Sequence, residues 1–496
     1  MSGESIIIIG AGLSGLATGC YAQMNGCKTK IFEMQKKPGG VCVSWKRNGF
    51  TFDYAVHNVF GTTSNSVNNH MWQELGALRG LQAYSFEEFV QIEDPSGKVF
   101  TVYTNLDKLK KHMEELAPLD KKLVDEYIKA VSRFSGYDLF AALTGGVSTK
   151  LKMLPLMGAL MKYSKITLKD YAEKFKDPFL RKAFSTIQYD IPEVPVVITL
   201  IFLATLNNGD GGWPIGGSMA LSRNIEKRYL ELGGEIAYRS KVDKILVKND
   251  QAIGIQLKEG MQHFADTIVS AADGYSTIFK MLDGKYVSNT IRAYYDGVPK
   301  TQAFGLEVWY GVSLDLSKEP HALVLFLDEP ITIENRERDR LDLEIMGFDP
   351  TLAPKGKTVV KVFLDSDFDY WKVLSDSPEK YSLEKQKLTD LLAEKLDNRF
   401  PEFKNNIEAV DVVTPVSVER WTGSYRGCQA WPAPKEYVKE VTKKGVSKTL
   451  PNLRNFYMVG QFAGGTIGLN TVCLMGRNLV KDLCKKDKRK FKTTTL

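Results

Sequence analysis

Four consecutive isoleucines, Ile6, Ile7, Ile8 and Ile9, open the hydrophobic pattern of the chain. A continuous β-branched run of this kind reads as a strand buried on both faces, as in a parallel sheet. Leu16, Ala17, Cys20 and Met24 then recur at the spacing of one helix face, and Lys28–Phe32 reads as a second strand. Further along, residues 107–116 and 120–133 predict helices, while residues 303–310, 323–327 and 358–364 predict strands. The longest apolar run, residues 194–206, would rise only about 20 Å as a helix, against roughly 30 Å of hydrocarbon. No segment is therefore predicted to span a bilayer.

Between the first strand and the first helix stand Gly10, Gly12 and Gly15 as G-x-G-x-x-G, and the second strand ends on Glu33. Each position has a physical reason. Gly10 permits the tight turn, Gly12 lets a pyrophosphate approach the backbone, and Gly15 lets the helix pack on the strand. The helix N-terminus offers free N–H groups and positive potential to phosphate. Glu33, about 20 residues on, is placed to accept hydrogen bonds from a ribose diol. Strand, glycine turn, helix, strand and acid in this order predict dinucleotide binding.

Pro38-Gly39-Gly40 follows within a few residues, then Gly49-Phe50-Thr51-Phe52-Asp53. This stretch resembles the second FAD fingerprint of the phytoene desaturase, carotenoid isomerase and retinol saturase group, within the amine oxidase-like flavoproteins. The far end is similar to the group's closing flavin motif: Leu453-Arg454-Asn455-Phe456-Tyr457-Met458-Val459-Gly460-Gln461, then Gly468-Leu469-Asn470 and Gly476-Arg477. Between them, Trp213-Pro214-Ile215-Gly216-Gly217-Ser218, Leu232-Gly233-Gly234 with Val242, and Ile268-Val269-Ser270-Ala271-Ala272-Asp273 match in order and spacing.

The resemblance implies an α/β fold with a Rossmann-type FAD-binding domain and an interleaved α+β substrate domain. The FAD domain would be discontinuous, at residues 1–85, 208–285 and 445–485. Residues 86–207 and 286–444 would form the substrate domain, a mixed sheet with a helical cover, and residues 486–496 a basic tail. The resemblance further implies FAD contacts at Gly10, Gly12, Leu13, Ser14, Gly15, Glu33, Gly39, Gly40, Val41, His57, Val242, Ala272, Gly460, Gly468, Leu469 and Asn470. Two of these depart from the family pattern. Val41 stands where many relatives carry an arginine for the pyrophosphate, and Asn470 stands where many carry proline, so its side chain is expected to cap the final helix or reach the flavin.

His57 is the candidate catalytic residue, in Phe52-Asp53-Tyr54-Ala55-Val56-His57-Asn58-Val59-Phe60-Gly61. A proton-transfer role competes with the simpler role of holding the turn beside FAD, and the turn is favoured because no carboxylate partner is identifiable in sequence. Tyr54 and Trp213 are candidates for the cavity wall, with ordinary core the commoner role. Gly356-Lys357-Thr358 ends like a phosphate loop, but Thr351 occupies the first glycine position, so a polar turn before a strand is expected. No second nucleotide fingerprint follows a strand, and a dedicated nicotinamide domain is not expected; the electron donor or acceptor stays open.

Composition narrows the remaining classes. The 496 residues are 43% hydrophobic and 25% charged, a globular balance. Net charge is +7, and between residues 481 and 492 seven basic residues face two acidic ones, so the tail carries five of these charges. A nucleic-acid footprint over a face is therefore not expected. Six cysteines form no CxxC pair, five histidines show no metal-ligand spacing, and no leader-like segment precedes the first strand. These features predict no metal, free thiols and a cytoplasmic location, with peripheral contact on a membrane surface as its variant.

That variant rests on Leu151, Met153, Leu154, Leu156, Met157, Leu160 and Met161, bracketed by Lys150, Lys152, Lys162 and Lys165. Such a helix could dip into a membrane interface or roof a cavity inside the fold. The basic tail could add attraction to anionic lipid, although a frayed terminus is the commoner outcome. The function expected from the resemblance is FAD-dependent desaturation, saturation or redox-neutral isomerisation of carbon–carbon bonds in a long apolar substrate such as a carotenoid. Alternatives are an amine oxidase relative, with Phe462, Gly464 and Gly465 near the flavin, and a non-catalytic prenyl carrier resembling the GDP dissociation inhibitors.

Overall fold

Ile6 and Ile8 face one way from the first strand and Ile7 and Ile9 the other, and both faces are covered, which is why the isoleucine run is unbroken. All four are 4% exposed or less. The computed structural model describes residues 3–63, 66–137, 151, 153–189, 191–297, 301–428, 448–463 and 468–495. Its first sheet runs in the order Glu235–Ala237, Lys28–Phe32, Ser5–Ile9, Thr267–Ser270 and Phe456–Met458, with every pair parallel. Ile7 lies opposite Ile268 on one side and Lys30 on the other.

Helix Leu13–Met24 packs between helices Gly217–Glu231 and Leu469–Lys486. Small residues permit the approach: a Cβ built on Gly19 would stand 2.6 Å from the Tyr229 ring, and one on Gly476 would stand 2.7 Å from Thr18 Oγ1. The bundle also carries the tail. Asn25 exchanges hydrogen bonds with the Lys492 backbone, Arg228 donates to the Thr494 carbonyl at 2.9 Å, and Phe491 packs on Tyr21. The expectation of a frayed tail is thus corrected for the described residues, since these backbone groups are tied to the bundle.

The second sheet has seven strands, ordered Ile407–Val413, Thr301–Val312, Thr358–Asp367, Arg336–Ile345, Ala322–Ile333, Glu88–Glu93 and Val99–Tyr103. Only Ala322–Ile333 and Glu88–Glu93 pair in parallel, so the sheet is mixed. One face is apolar: Leu306, Val308, Tyr310, Leu343, Val360 and Val362 pack on Leu388, Leu392 and Leu396 of helix Pro378–Arg399. Trp309, on the other face, lies 5.6 Å from the Phe52 ring and 5.7 Å from Trp45 of the hairpin Ser44–Arg47 and Phe50–Asp53. Gly311 leaves room there for the Phe50 ring, which a Cβ would meet at 2.5 Å.

Helices Leu106–Leu116, Lys121–Ser135 and Val196–Asn207 share one core beside the Glu88–Glu93 strand and form a helical cover. Among the described residues no helix is long and apolar enough to cross a membrane. The expected single helix near residue 155 is instead a 3-10 turn at Leu154–Leu156 followed by helix Met157–Tyr163. Pro155 explains the break, because it carries no N–H for a continuous helix. Its apolar residues divide. Met153, Leu156, Ala159 and Tyr163 are buried, whereas Leu151, Leu154, Met157 and Met161 are exposed. Lys150 and Lys152 lie outside the described residues, and Gly356-Lys357 forms a turn before the Thr358–Asp367 strand.

Candidate active site

The first glycine loop is built around backbone approach. Gly10 takes φ +98° and donates to the Phe32 carbonyl at 2.8 Å. A Cβ on Gly15 would run into the Gly10 carbonyl, whereas one on Gly12 meets nothing within 4 Å. Gly12 caps helix Leu13–Met24 with no side-chain cap, so the first turn, with Leu13 and Ser14, keeps N–H groups that no side chain of the cap satisfies. The second glycine pair closes over this start: Gly39 donates to the Ala11 carbonyl at 2.9 Å, and Gly40 lies beside the Gly12 Cα.

Glu33 is buried, with Oε2 accepting from the Ala11 N–H at 2.7 Å and Oε1 from Gln35 N–H at 2.8 Å. Burial pushes its carboxyl above the usual range, while the backbone donors oppose that rise. The carboxylate therefore clamps the glycine loop directly. Ser240 donates to the Glu33 carbonyl at 2.8 Å, which brings the buried Val242 segment to the same edge. Ala272 follows the Thr267–Ser270 strand, and its backbone nitrogen would stand 3.6 Å from a Cβ on Gly10. Val41 packs with Val43, Tyr54 and Val418 and brings no charge to the loop.

The closing segment meets the same place. Val459 donates to the Ser270 carbonyl at 2.9 Å, and a Cβ on Gly460 would lie 3.0 Å from Ser14 Oγ. Gly468, at φ +118°, starts the last helix without a side-chain cap, followed by the half-buried Leu469. Asn470 corrects an expectation: its side chain does not cap that helix but donates to the Phe60 carbonyl at 2.7 Å. Phe462 is buried in the core beside Gly274; Gly464 and Gly465 lie outside the described residues.

His57 lies three residues before Phe60, on the turn that Asp53 fixes. Asp53 accepts from Ser218 N–H and Oγ, both at 2.6 Å. Burial pushes its carboxyl up to about 6. Tyr54 and Trp213 are core residues, and Trp213 Nε1 donates to Asp349 at 2.7 Å. The sequence reading found no carboxylate for His57, and that is corrected: Nδ1 pairs with Glu344 Oε1 across 287 residues. Glu344 is the register partner of Lys361, whose Nζ lies 3.3 Å from Glu344 Oε2, 3.5 Å from Glu307 Oε1 and donates to the Tyr54 carbonyl at 3.3 Å.

Glu307, Glu344 and Lys361 are all buried, so one lysine faces two carboxyls. Burial pushes Glu307 up to about 8, only partly offset by Lys361. Burial also opposes the charge on Glu344, but His57 and Lys361 outweigh it and hold that carboxyl down at about 2. Lys361 is held above the usual lysine range, because its two carboxyl neighbours outweigh burial. At neutral pH the trio thus carries one carboxylate, one ammonium and one neutral acid. A signal for two of the three exists in the sequence: Glu307 and Lys361 are each a single charge inside an apolar strand run, whereas Glu344 stands near the end of a strand that already carries Arg336 to Arg340 and Asp342.

The chain is similar to known proteins in sequence and in fold. Residues 8–75 match the model of a NAD(P)-binding Rossmann-like domain. Over 453 residues the chain is 26% identical to a chloroplastic prolycopene isomerase of Daucus carota, covering 84% of this chain and 70% of that protein. It is 23% identical over 444 residues to a lycopene-forming phytoene desaturase of Pseudescherichia vulneris, covering 83% and 85%. Along most of its length the chain is similar to carotenoid isomerases and phytoene desaturases. Its fold is that of a solved oxidoreductase from Methanosarcina mazei, at TM-score 0.61 and 17% identity over 96% of this chain and 100% of that one.

The open start of helix Leu13–Met24 is the test of cofactor fit. The space beyond Gly12, the uncapped first turn and the glycine pair folded over it suit a dinucleotide pyrophosphate. Glu33 retains lone pairs beyond its two backbone donors. The residues present therefore fit the group.

Proposed function

We propose that this chain is an FAD-dependent oxidoreductase acting on carbon–carbon bonds of a long apolar polyprenoid. The observation that carries the reading is the similarity to prolycopene isomerase and phytoene desaturase along most of the chain, through both sheets. FAD, when bound, supplies hydride exchange with a carbon atom and the electronics of flavin oxidation and reduction. Gly10, Gly12, Leu13, Ser14, Gly15, Gly39 and Gly40 would bring backbone N–H groups and closely approaching backbone to its phosphates. Glu33 would hold the ribose and Val242 and Ala272 its adenosine side, with Val41 closing the loop. Gly460, Gly468, Leu469, Asn470 and His57 would lie toward the reacting end.

In this reading residues 1–85, 208–285 and 445–485 form the cofactor domain, and residues 86–207 and 286–444 the substrate domain. The apolar helical cover around Val196–Asn207 excludes water from a hydrocarbon substrate. The exposed Leu151, Leu154, Met157 and Met161 supply peripheral membrane contact through which such a substrate arrives.

The test is anaerobic incubation of the yellow, flavin-loaded protein with a panel of polyprenoids and amines, with and without reductant. Product from a polyprenoid is expected. Dependence on reductant marks saturation, inhibition by it marks desaturation, and a changed double-bond geometry without net redox marks isomerisation. A colourless protein that still binds prenyl chains would instead support a carrier.

A further inference from the structure

We propose that Glu344 is a positioning residue for His57: it holds the Nδ1–H tautomer, with Lys361 as its counter-charge, and leaves Nε2 as the base that faces the substrate. This rests on the polyprenoid reading above, and it adds a proton-handling wall that comes from the seven-stranded sheet rather than from the glycine loops.

The geometry supplies the asymmetry such a base needs. The His57 side chain is 44% exposed and Glu344 only 8%, so the ring is anchored on its inner nitrogen and open on its outer edge. A carboxylate on one ring nitrogen selects the tautomer and leaves the other nitrogen with a free lone pair. The ring sits 6.5 Å from Phe304 and 6.3 Å from Phe363, and Phe363 packs 4.8 Å from Tyr189. These aromatic faces suit a polyene better than a polar ligand. Glu344 cannot drift, because it is the cross-strand partner of Lys361 and is buried against it.

The charge count points the same way. The ionised Glu344 and Lys361 cancel, so a neutral His57 leaves the wall without net charge. Glu307 lies behind Lys361, where the Trp309 indole N–H faces its carboxyl. Asp53, Asp342 and Tyr189 complete the ionisable surroundings.

The balance is that of any desaturation. One hydrogen leaves a substrate carbon as hydride, accepted by the oxidised flavin of the reading above. The neighbouring hydrogen leaves as a proton to Nε2, and its C–H electron pair becomes the new π bond. Saturation is the reverse, with the protonated ring as donor.

The first test needs no substrate. Purified holoprotein carrying 15N-histidine is compared with Glu344→Gln, and His57→Gln identifies the His57 signals among the five histidines. The expected result is a protonated Nδ1 and bare Nε2 in wild type, with the slowly exchanging Nδ1 proton lost in Glu344→Gln at unchanged flavin content. A bare Nδ1 in wild type overturns the proposal with no variant required. Unchanged His57 signals in Glu344→Gln overturn the positioning role.

Turnover then tests the base. His57→Ala should fall about a hundredfold in kcat at unchanged KM, and added imidazole should return much of that loss. Glu344→Gln should lose about tenfold or more. A hundredfold loss that imidazole leaves untouched overturns the base. A wild type with the expected His57 tautomer that turns over no polyprenoid faults the substrate reading and not the positioning of His57.

Discussion

The two sheets of this molecule carry their polar groups in opposite ways. In the five-stranded parallel sheet the central strand is apolar on both faces, and the polar groups of the candidate site lie beyond the strand ends, on backbone atoms freed by Gly10, Gly12, Gly39 and Gly468. In the seven-stranded sheet the polar groups of the site are side chains within strands, held by register: Glu344 opposite Lys361 on one side, and Glu307 diagonal to Lys361 on the other. Backbone chemistry leaves a glycine spacing that can be read from one segment. Side-chain chemistry of the second kind exists only after three strands have paired: a lone charge in an apolar run marks Glu307 and Lys361, but nothing local announces which charges will meet.

The comparison breaks first on the glycine loop. Gly12→Val should place a branched side chain in the open cradle and leave almost no flavin absorbance after dialysis. Glu33→Ala should follow it, through loss of charge-assisted hydrogen bonds of about 1.5–3 kcal/mol, roughly ten- to a hundredfold in affinity. If both variants kept their full flavin, the backbone cradle would not be the cofactor site. Apoprotein Gly12→Val should unfold near the wild-type apoprotein midpoint, since a Cβ at this position has no neighbour within 4 Å.

Lys361→Met should show the converse pattern. It leaves Glu344 buried without its lysine, at a cost of about 3–5 kcal/mol, visible in urea unfolding. Adding Glu344→Gln to it should recover much of that loss, because the uncompensated charge is then gone. A single variant as stable as wild type would mean that the trio is not a buried charge cluster.

A smaller effect separates the two glutamates by pH. Glu307 is pushed up to about 8 from an ordinary 4.5, so its contribution to stability is full below 4.5 and is lost as pH rises through about 8. Glu344 is held down at about 2, so its contribution is present above 4.5 and is lost as pH falls through about 2. Glu307→Gln should therefore gain stability relative to wild type as pH rises from 5 to 9 in chemical denaturation. Parallel curves for the two proteins would reject the neutral buried acid. The smallest effect is expected away from both sheets: Leu154, Met157 and Met161 replaced together by Ser should change stability by only about 0.5 kcal/mol. Liposome binding of that variant should nevertheless drop, and unchanged binding would reject the membrane contact.

Legibility in the sequence follows the same division. The unbroken isoleucine run, the helix after it and the strand ending on Glu33 were each readable because local periodicity and glycine placement determine them. The long strands around residues 303, 323 and 358 were readable as strands, but their pairing was not. Hence His57 read as a residue without a carboxylate, although Glu344 waits 287 positions away. Asn470 misled for a related reason: an amide near a helix start reads as a cap, yet the Phe60 carbonyl, 410 positions distant, takes it. Pro155 was in plain view, but an apolar run outweighed it in the reading and the structure gives the proline precedence.

The five-stranded sheet also sets a clock for synthesis. Its central strand is made first and its edge strand Phe456–Met458 near the end, and the helix that carries Asn470 follows. At roughly 5–20 residues per second, the first βαβ unit waits about 20 to 90 seconds for the strand and helix that complete it. During that interval the Thr267–Ser270 strand has an unpaired edge, and the glycine loop lacks the Gly460 side of its cradle. Cofactor capture should therefore be a late event in biogenesis, following release of the last helix rather than synthesis of the glycine loop.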